Sequence, residues 1–100
     1  MSQAELNRIR EAVASGRYYL TDHANEEMIE DDLDVLDVET SILNGVLKRT
    51  QGADPRGTVY TIHGTGSDQE TPLGTVGRFT ASGQYRVITI YKVIPREGER

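Results

Sequence analysis

Apolar positions change their period once along the chain, near Gly45. Before it they recur every three or four residues, and after it they alternate. In "MSQAELNRIREAV", Leu6, Ile9 and Val13 fall at helical spacing, and Gly16 is placed to end that helix. "RYYLT" (17–21) is short and aromatic, and reads as a first strand or an extended connector. Thr21 or Asp22 can N-cap a second helix, because either side chain accepts a bond from an otherwise orphaned backbone N–H. Asp34 is placed as another N-cap. Behind it Val35, Val38, Ile42 and Val46 make one apolar stripe, with Gly45 close to the helix end.

Beyond Gly45 the pattern predicts strands. "VLKRTQ" is the first, and "DPRG" (54–57) is a turn, with Pro55 where φ is already fixed. "GTVYTIHG" (57–64) and "GTVGRFT" (74–80) alternate, and "ASGQ" (81–84) leads into "YRVITIYKVI" (85–94). That last segment is apolar or β-branched on both faces, as a central strand is. The stretch from Gly64 to Gly74 is rich in Gly, Thr and Ser and reads as a mobile connector. No repeat and no linker divides the chain. The order predicts one α+β domain over residues 1–100, with the N-terminal helices packed on one face of a small antiparallel sheet.

Composition narrows the class. One hundred residues are near the low end of what buries a useful core without staples. There is no cysteine, which excludes disulfides and Cys-ligated zinc and suits a reducing compartment. The charged start is unlike a signal peptide, and no run of apolar residues is long enough for a membrane span, so a cytoplasmic protein with no membrane contact is expected. The net charge of -5 argues against nucleic acid until it is divided. Residues 1–50 hold five Lys/Arg against eleven Asp/Glu, whereas residues 51–100 hold six against five. Between Asp22 and Glu39 there are nine acids and no base. The acidity is local, so the C-terminal half is free to meet a polyanion.

"LTDHANEEMIE" (20–30) holds the densest polar chemistry. On a helix Ala24 and Met28 share one side, while His23, Glu26, Glu27 and Glu30 form a stripe on the other. His23 and Glu27 stand at i and i+4, close enough to touch. A metal site would need further ligands, and the only other histidine, His63, is distant in sequence. The stretch therefore reads as a solvated acidic face suited to a basic partner through Glu26, Glu27 and Glu30, with no metal and no cofactor.

Four segments in order carry a resemblance: "YYLTDHANEEM", "EDDLDVLDVETSILNG", "DPRGTVYTIHGT" and "VGRFTASGQYRVITIYKV". Over roughly Gly16 to Val93 the chain resembles a small prokaryotic family, domain-of-unknown-function family 4258. That resemblance implies a fold like the RelE and MqsR ribonuclease toxins. It also implies a partner antitoxin with a zinc finger of the YgiT/MqsA type, and RNA or the ribosome as target. "TVYTI" (58–62) and "ITIYK" (88–92) are similar to the two core strands of MqsR-type toxins, which would put a functional Tyr at Tyr60 and a functional Lys at Lys92. Many members carry Arg after "HA" where this chain has Asn25 and Glu26, so a basic helix surface has become acidic here.

The strand half also supplies candidates on its own terms. RNA is cut without metal when a base activates the 2′-OH, an acid protonates the leaving oxygen and a cation stabilises the phosphorane. On the toxin reading, Arg78, flanked by Gly77 and Phe79, and Lys92 are expected to meet the phosphate, with Tyr60 assisting proton transfer or positioning the sugar; Arg56 and Arg86 are expected to bind RNA, since a guanidinium fork suits phosphate. Strict alternation sets Arg86, Ile88, Ile90 and Lys92 on one side of the last strand and Tyr85, Val87, Thr89 and Tyr91 on the other. It also sets Tyr60 with Thr58 and Ile62, and His63 with Val59 and Thr61. The ordinary readings stand beside these: Tyr60 and Tyr91 as cross-strand packing, His63 as a strand-end histidine, and "GTGSDQETPLG" as a connector without the Gly-Lys-Ser/Thr of a phosphate loop. The resemblance, taken with these candidates, thus implies a metal-independent endoribonuclease of the toxin type. Its alternative is an inactive interaction module on the same fold.

Overall fold

Element boundaries fall where the sequence supplies caps. The computed structural model describes residues 2–52 and 57–94. The order is α1 (Ser2–Ala14), β1 (Tyr18–Leu20), α2 (Asp22–Glu30), α3 (Val35–Leu43), β2 (Val46–Gln51), β3 (Val59–Thr65), β4 (Pro72–Phe79) and β5 (Tyr85–Lys92). Gly16 adopts φ +80°, the left-handed conformation that closes α1 as Arg17 N–H reaches back to Ala12 O at 2.8 Å. Of the two N-cap candidates for α2, Thr21 is the one used: its hydroxyl accepts from Ala24 N–H at 3.1 Å. Asp34 caps α3 in a reciprocal box with Asp37. Pro55 and Arg56, with the turn expected around them, lie outside the described residues.

The chain is α+β as expected, with a five-stranded sheet ordered β1-β5-β4-β3-β2. The sheet is mixed. Three pairings are antiparallel, but the short β1 runs parallel to β5, Tyr19 opposite Arg86. β5 is interior, yet the middle strand is β4, because β1 adds one more strand outside β5. The helices supply Leu6, Ile9, Ala12 and Val13 from α1, Ala24 from α2, and Val38 and Ile42 from α3 to a single core. Tyr60, Ile62, Tyr85, Val87 and Ile90 complete it from the sheet. The same strands present His63, Val76, Arg78, Arg86 and Tyr91 on the other side, where each is only part-buried. Val35 and Val46, expected on the α3 stripe, are exposed: Val35 is the first residue of α3, and Val46 belongs not to that helix but to β2, opposite His63 on the helix-free side.

Two departures from the expected sheet follow from local geometry. Thr89 lies opposite Val76 while Val87 lies opposite Gly77, so Ile88 is an extra residue on β5. This bulge inverts the alternation. Ile90 joins Tyr85 and Val87 in the core, Tyr91 crosses to Arg86's side, and Lys92 goes with Ile90 rather than Arg86. The second departure is the 64–74 connector, which is short and tied down. Strands occupy both its ends, Gly66 N–H bonds Thr71 O at 3.0 Å, and Ser67 donates to Asp37 Oδ1 from its amide at 2.8 Å and its hydroxyl at 2.6 Å. The Asp68 carboxylate accepts three bonds from Glu70 and Thr71, which hold its pKa at about 2.

Candidate functional site

Charge divides by layer. The strands carry Lys48, Arg49, Arg78, Arg86 and Lys92 and no Asp or Glu. α2 and α3 together carry Asp22, Glu26, Glu27, Glu30, Asp37 and Glu39 and no Lys or Arg. The helix-free side of the sheet is therefore the basic one.

Register arranges that side in rows. One row runs Val46, His63, Gly74, Tyr91, and the next runs Arg49, Thr61, Val76, Thr89. A further row places Arg78 directly opposite Arg86, which in turn lies opposite Tyr19. Arg86 Nε donates to Tyr19 Oη at 2.7 Å, and its guanidinium lies 5.6 Å from that ring's centre. Arg78, Phe79, Thr80, Ala81 and Arg86 line a cavity of about 260 Å³ at the β4–β5 turn. Like charges directly across a strand pair disfavour each other. Among the described residues neither guanidinium meets a carboxylate.

The row of His63 holds a second arrangement. His63 Nε2 and Tyr91 Oη are 2.8 Å apart and their rings meet edge to face at 5.7 Å. Gly74 between them makes this fit: a Cβ there would stand 2.3 Å from Tyr91 Cζ. Burial, and after it the charge of Lys48, push the His63 pKa down, which keeps the imidazole neutral. Burial pushes the Tyr91 phenol up, so it keeps its proton. Sequence reasoning set both residues aside as ordinary strand side chains. Gly74 was the available signal, since a glycine inside a strand marks a close approach.

The three residues expected to act on phosphate are not brought together. Tyr60 is on the helical side, 5 % exposed, with its hydroxyl 3.3 Å from Glu5 Oε2, and burial first, then Glu5, raise its pKa. Lys92 is exposed at the end of β5, paired with Leu73, on the opposite side of the sheet from Arg78. Arg78 and Arg86 do line the same cavity. On α2, Glu26 and Glu30 are exposed and available to a partner, next to Ile29 at 65 % exposure. Glu27 is committed instead: Oε1 accepts from Ile90 N–H at 2.8 Å and Oε2 lies 3.1 Å from His23 Nε2. It closes the edge of β5 where β1 has ended. The described residues include no group of three His, Cys, Asp or Glu side chains able to hold a metal ion, and no helix among them is long and apolar enough to cross a membrane.

No curated protein and no solved structure matches the chain. A family model does, the Domain of unknown function (DUF4258), over residues 20–92, which takes in the last residue of β1, α2, α3 and β2 to β5, and leaves α1 outside. With the greater part of its sequence inside that model, this chain belongs to the DUF4258 family.

Proposed function

We propose that the helix-free side of the sheet binds single-stranded RNA through its phosphates, and that the chain is a metal-independent endoribonuclease of the RelE/MqsR toxin type held in check by an antitoxin. The observation that carries this reading is Arg78 facing Arg86 at a cavity with no carboxylate between them. Two guanidinium forks at that spacing suit phosphate oxygens, and their repulsion is relieved when an anion binds. Lys48 and Arg49 extend the positive surface across the sheet toward β2. The acidic helices on the other side repel a polyanion and so orient it. Their exposed Glu26 and Glu30 suit a basic partner such as the zinc-finger antitoxin that the toxin resemblance implies.

A second reading is an inactive interaction module. It is favoured by the separation of Tyr60 and Lys92 from Arg78 by the thickness of the sheet. One experiment separates the two. The chain is expressed without its partner, and growth and total RNA are followed. The toxin reading expects growth arrest and RNA fragments ending in cyclic phosphate, both lost in the Arg78→Ala/Arg86→Ala variant. A folded wild-type protein that neither arrests growth nor cuts RNA, alone or with ribosomes, leaves the module.

A further inference from the structure

His63 and Tyr91 lie 28 residues apart in sequence and meet over a glycine on the basic side of the sheet. Three facts make the meeting more than packing. The contact is polar, 2.8 Å from Nε2 to Oη. The phenol occupies the space a side chain at position 74 would take. Both groups are part-buried on the face that carries the arginines, not in the core. Gly74 is four residues from Arg78 along β4, about 13 Å at strand rise, or roughly two nucleotides of extended RNA. RNA held at the arginines and running along β4 reaches the pair at that distance.

We propose that Tyr91 and His63 are the proton-transfer pair of RNA cleavage on this face, taking the role first expected of Tyr60. The 2′-hydroxyl hydrogen passes to Tyr91 Oη as the phenolic hydrogen passes to His63 Nε2. The 2′-oxygen attacks the adjacent phosphorus, and the bond from phosphorus to the 5′-oxygen breaks. The proton on His63 returns through solvent to the leaving 5′-oxygen. The products are a 2′,3′-cyclic phosphate and a 5′-hydroxyl, and the proton count closes without a co-reactant. A neutral imidazole behind a protonated phenol is the starting state this relay needs, and the directions of both pKa shifts supply it. Lys48, the charged neighbour acting on His63, is placed to offset charge on the phosphorane.

The inference rests on the reading that this face binds RNA, and the test keeps the two apart. A labelled single-stranded RNA oligonucleotide is used with wild type and with Tyr91→Phe, His63→Gln, Gly74→Ala and Arg78→Ala/Arg86→Ala. Binding is read by anisotropy, single-turnover cleavage by gel, and folding by circular dichroism. Tyr91→Phe and His63→Gln should bind within about twofold of wild type and cleave on the order of 10²–10³-fold more slowly. Gly74→Ala, which displaces the Tyr91 ring, should follow them. The fall of the wild-type rate in acid should flatten in His63→Gln; Lys48 and Arg49 on β2 and Tyr91 on β5 are the ionisable groups flanking the ring, and β4 offers only Gly74 and Val76. The arginine variant should lose binding. Wild-type rates in folded Tyr91→Phe and His63→Gln overturn the relay and leave the RNA reading standing. Tight binding by wild type with no cleavage also overturns it. If wild type neither binds nor cleaves, both fall.

Discussion

The helical layer and the sheet divide the work of this domain by charge as well as by packing. From Asp22 to Glu39 there are nine acids and no base, whereas the five strands hold five bases and no acid. Both layers give their apolar residues to the same core, so most of the contrast lies on their outer surfaces, with Lys92 and Glu27 the exceptions. A cut of the sequence at its midpoint conceals this, because it assigns Lys48 and Arg49 of β2 to the acidic half. A net charge of -5 thus coexists with a sheet face whose charged residues are all basic.

Charge exchange is the strongest way to break that contrast. Arg78→Glu/Arg86→Glu should weaken single-stranded RNA binding on the order of 10³-fold at low salt, and should flatten the salt dependence by the two lost phosphate contacts. Glu26→Lys/Glu30→Lys should leave RNA binding at least as tight, since those groups are on the far layer. Anisotropy titrations at several salt concentrations decide it, and equal losses in both pairs would show that the layers do not act separately.

Glycines sharpen the contrast in packing. At Gly64 a Cβ would stand 2.0 Å from Ser41 O, a backbone atom of α3 that cannot swing aside. At Gly74 it would meet only the end of the Tyr91 side chain. Gly64→Ala should therefore cost about 3 kcal/mol in urea denaturation, against less than about 1 kcal/mol for Gly74→Ala. A reversed order would mean that α3 yields more easily than its contacts with the sheet imply.

Acid should distinguish the layers more weakly. Hydrogen bonds from Ser67, then from Asp34, hold the Asp37 carboxyl below its ordinary value of 3.8, so its contribution is complete above that value and is lost as pH falls through the lower folded one. Burial and Lys48 hold His63 below 6.5, so its contribution is complete above 6.5 and declines as pH falls through its own folded value. On acidification the sheet loses stability first. Urea midpoints measured from pH 7 to pH 3 should lose their upper slope in His63→Gln and their lower slope in Asp37→Asn.

Local chemistry was legible and register was not. Gly16, Thr21 and Asp34 each cap as their side chains require, and the alternation in 57–64 put Tyr60 with Ile62 and His63 on the other side, where they are. The Ile88 bulge has no such mark, because it exists only in the pairing of β5 against β4. That single residue overturned the expected sides of Ile90, Tyr91 and Lys92. The Gly64–Gly74 connector was misread for a related reason: its composition suggests mobility, while the bonds from Ser67 to Asp37 come from a helix 30 residues away. The arginine pair was half legible. Arg78 and Arg86 were both expected on phosphate, but only the register shows them face to face.

The parallel pairing of β1 with β5 has a consequence for how the chain is made. The first strand to leave the ribosome waits for the last one, since Tyr18–Leu20 has no other strand neighbour in the sheet. α2 waits as well, because Glu27 and Thr21 bond to the backbone of β5 at Ile90 and Val87. Contacts of such long sequence separation form late and slowly. A nascent chain halted before residue 85 would leave Ala24 uncovered, because α2 packs chiefly on that strand. The pair of Arg78 and Arg86 is therefore complete only once β5 has been made and has paired with β4.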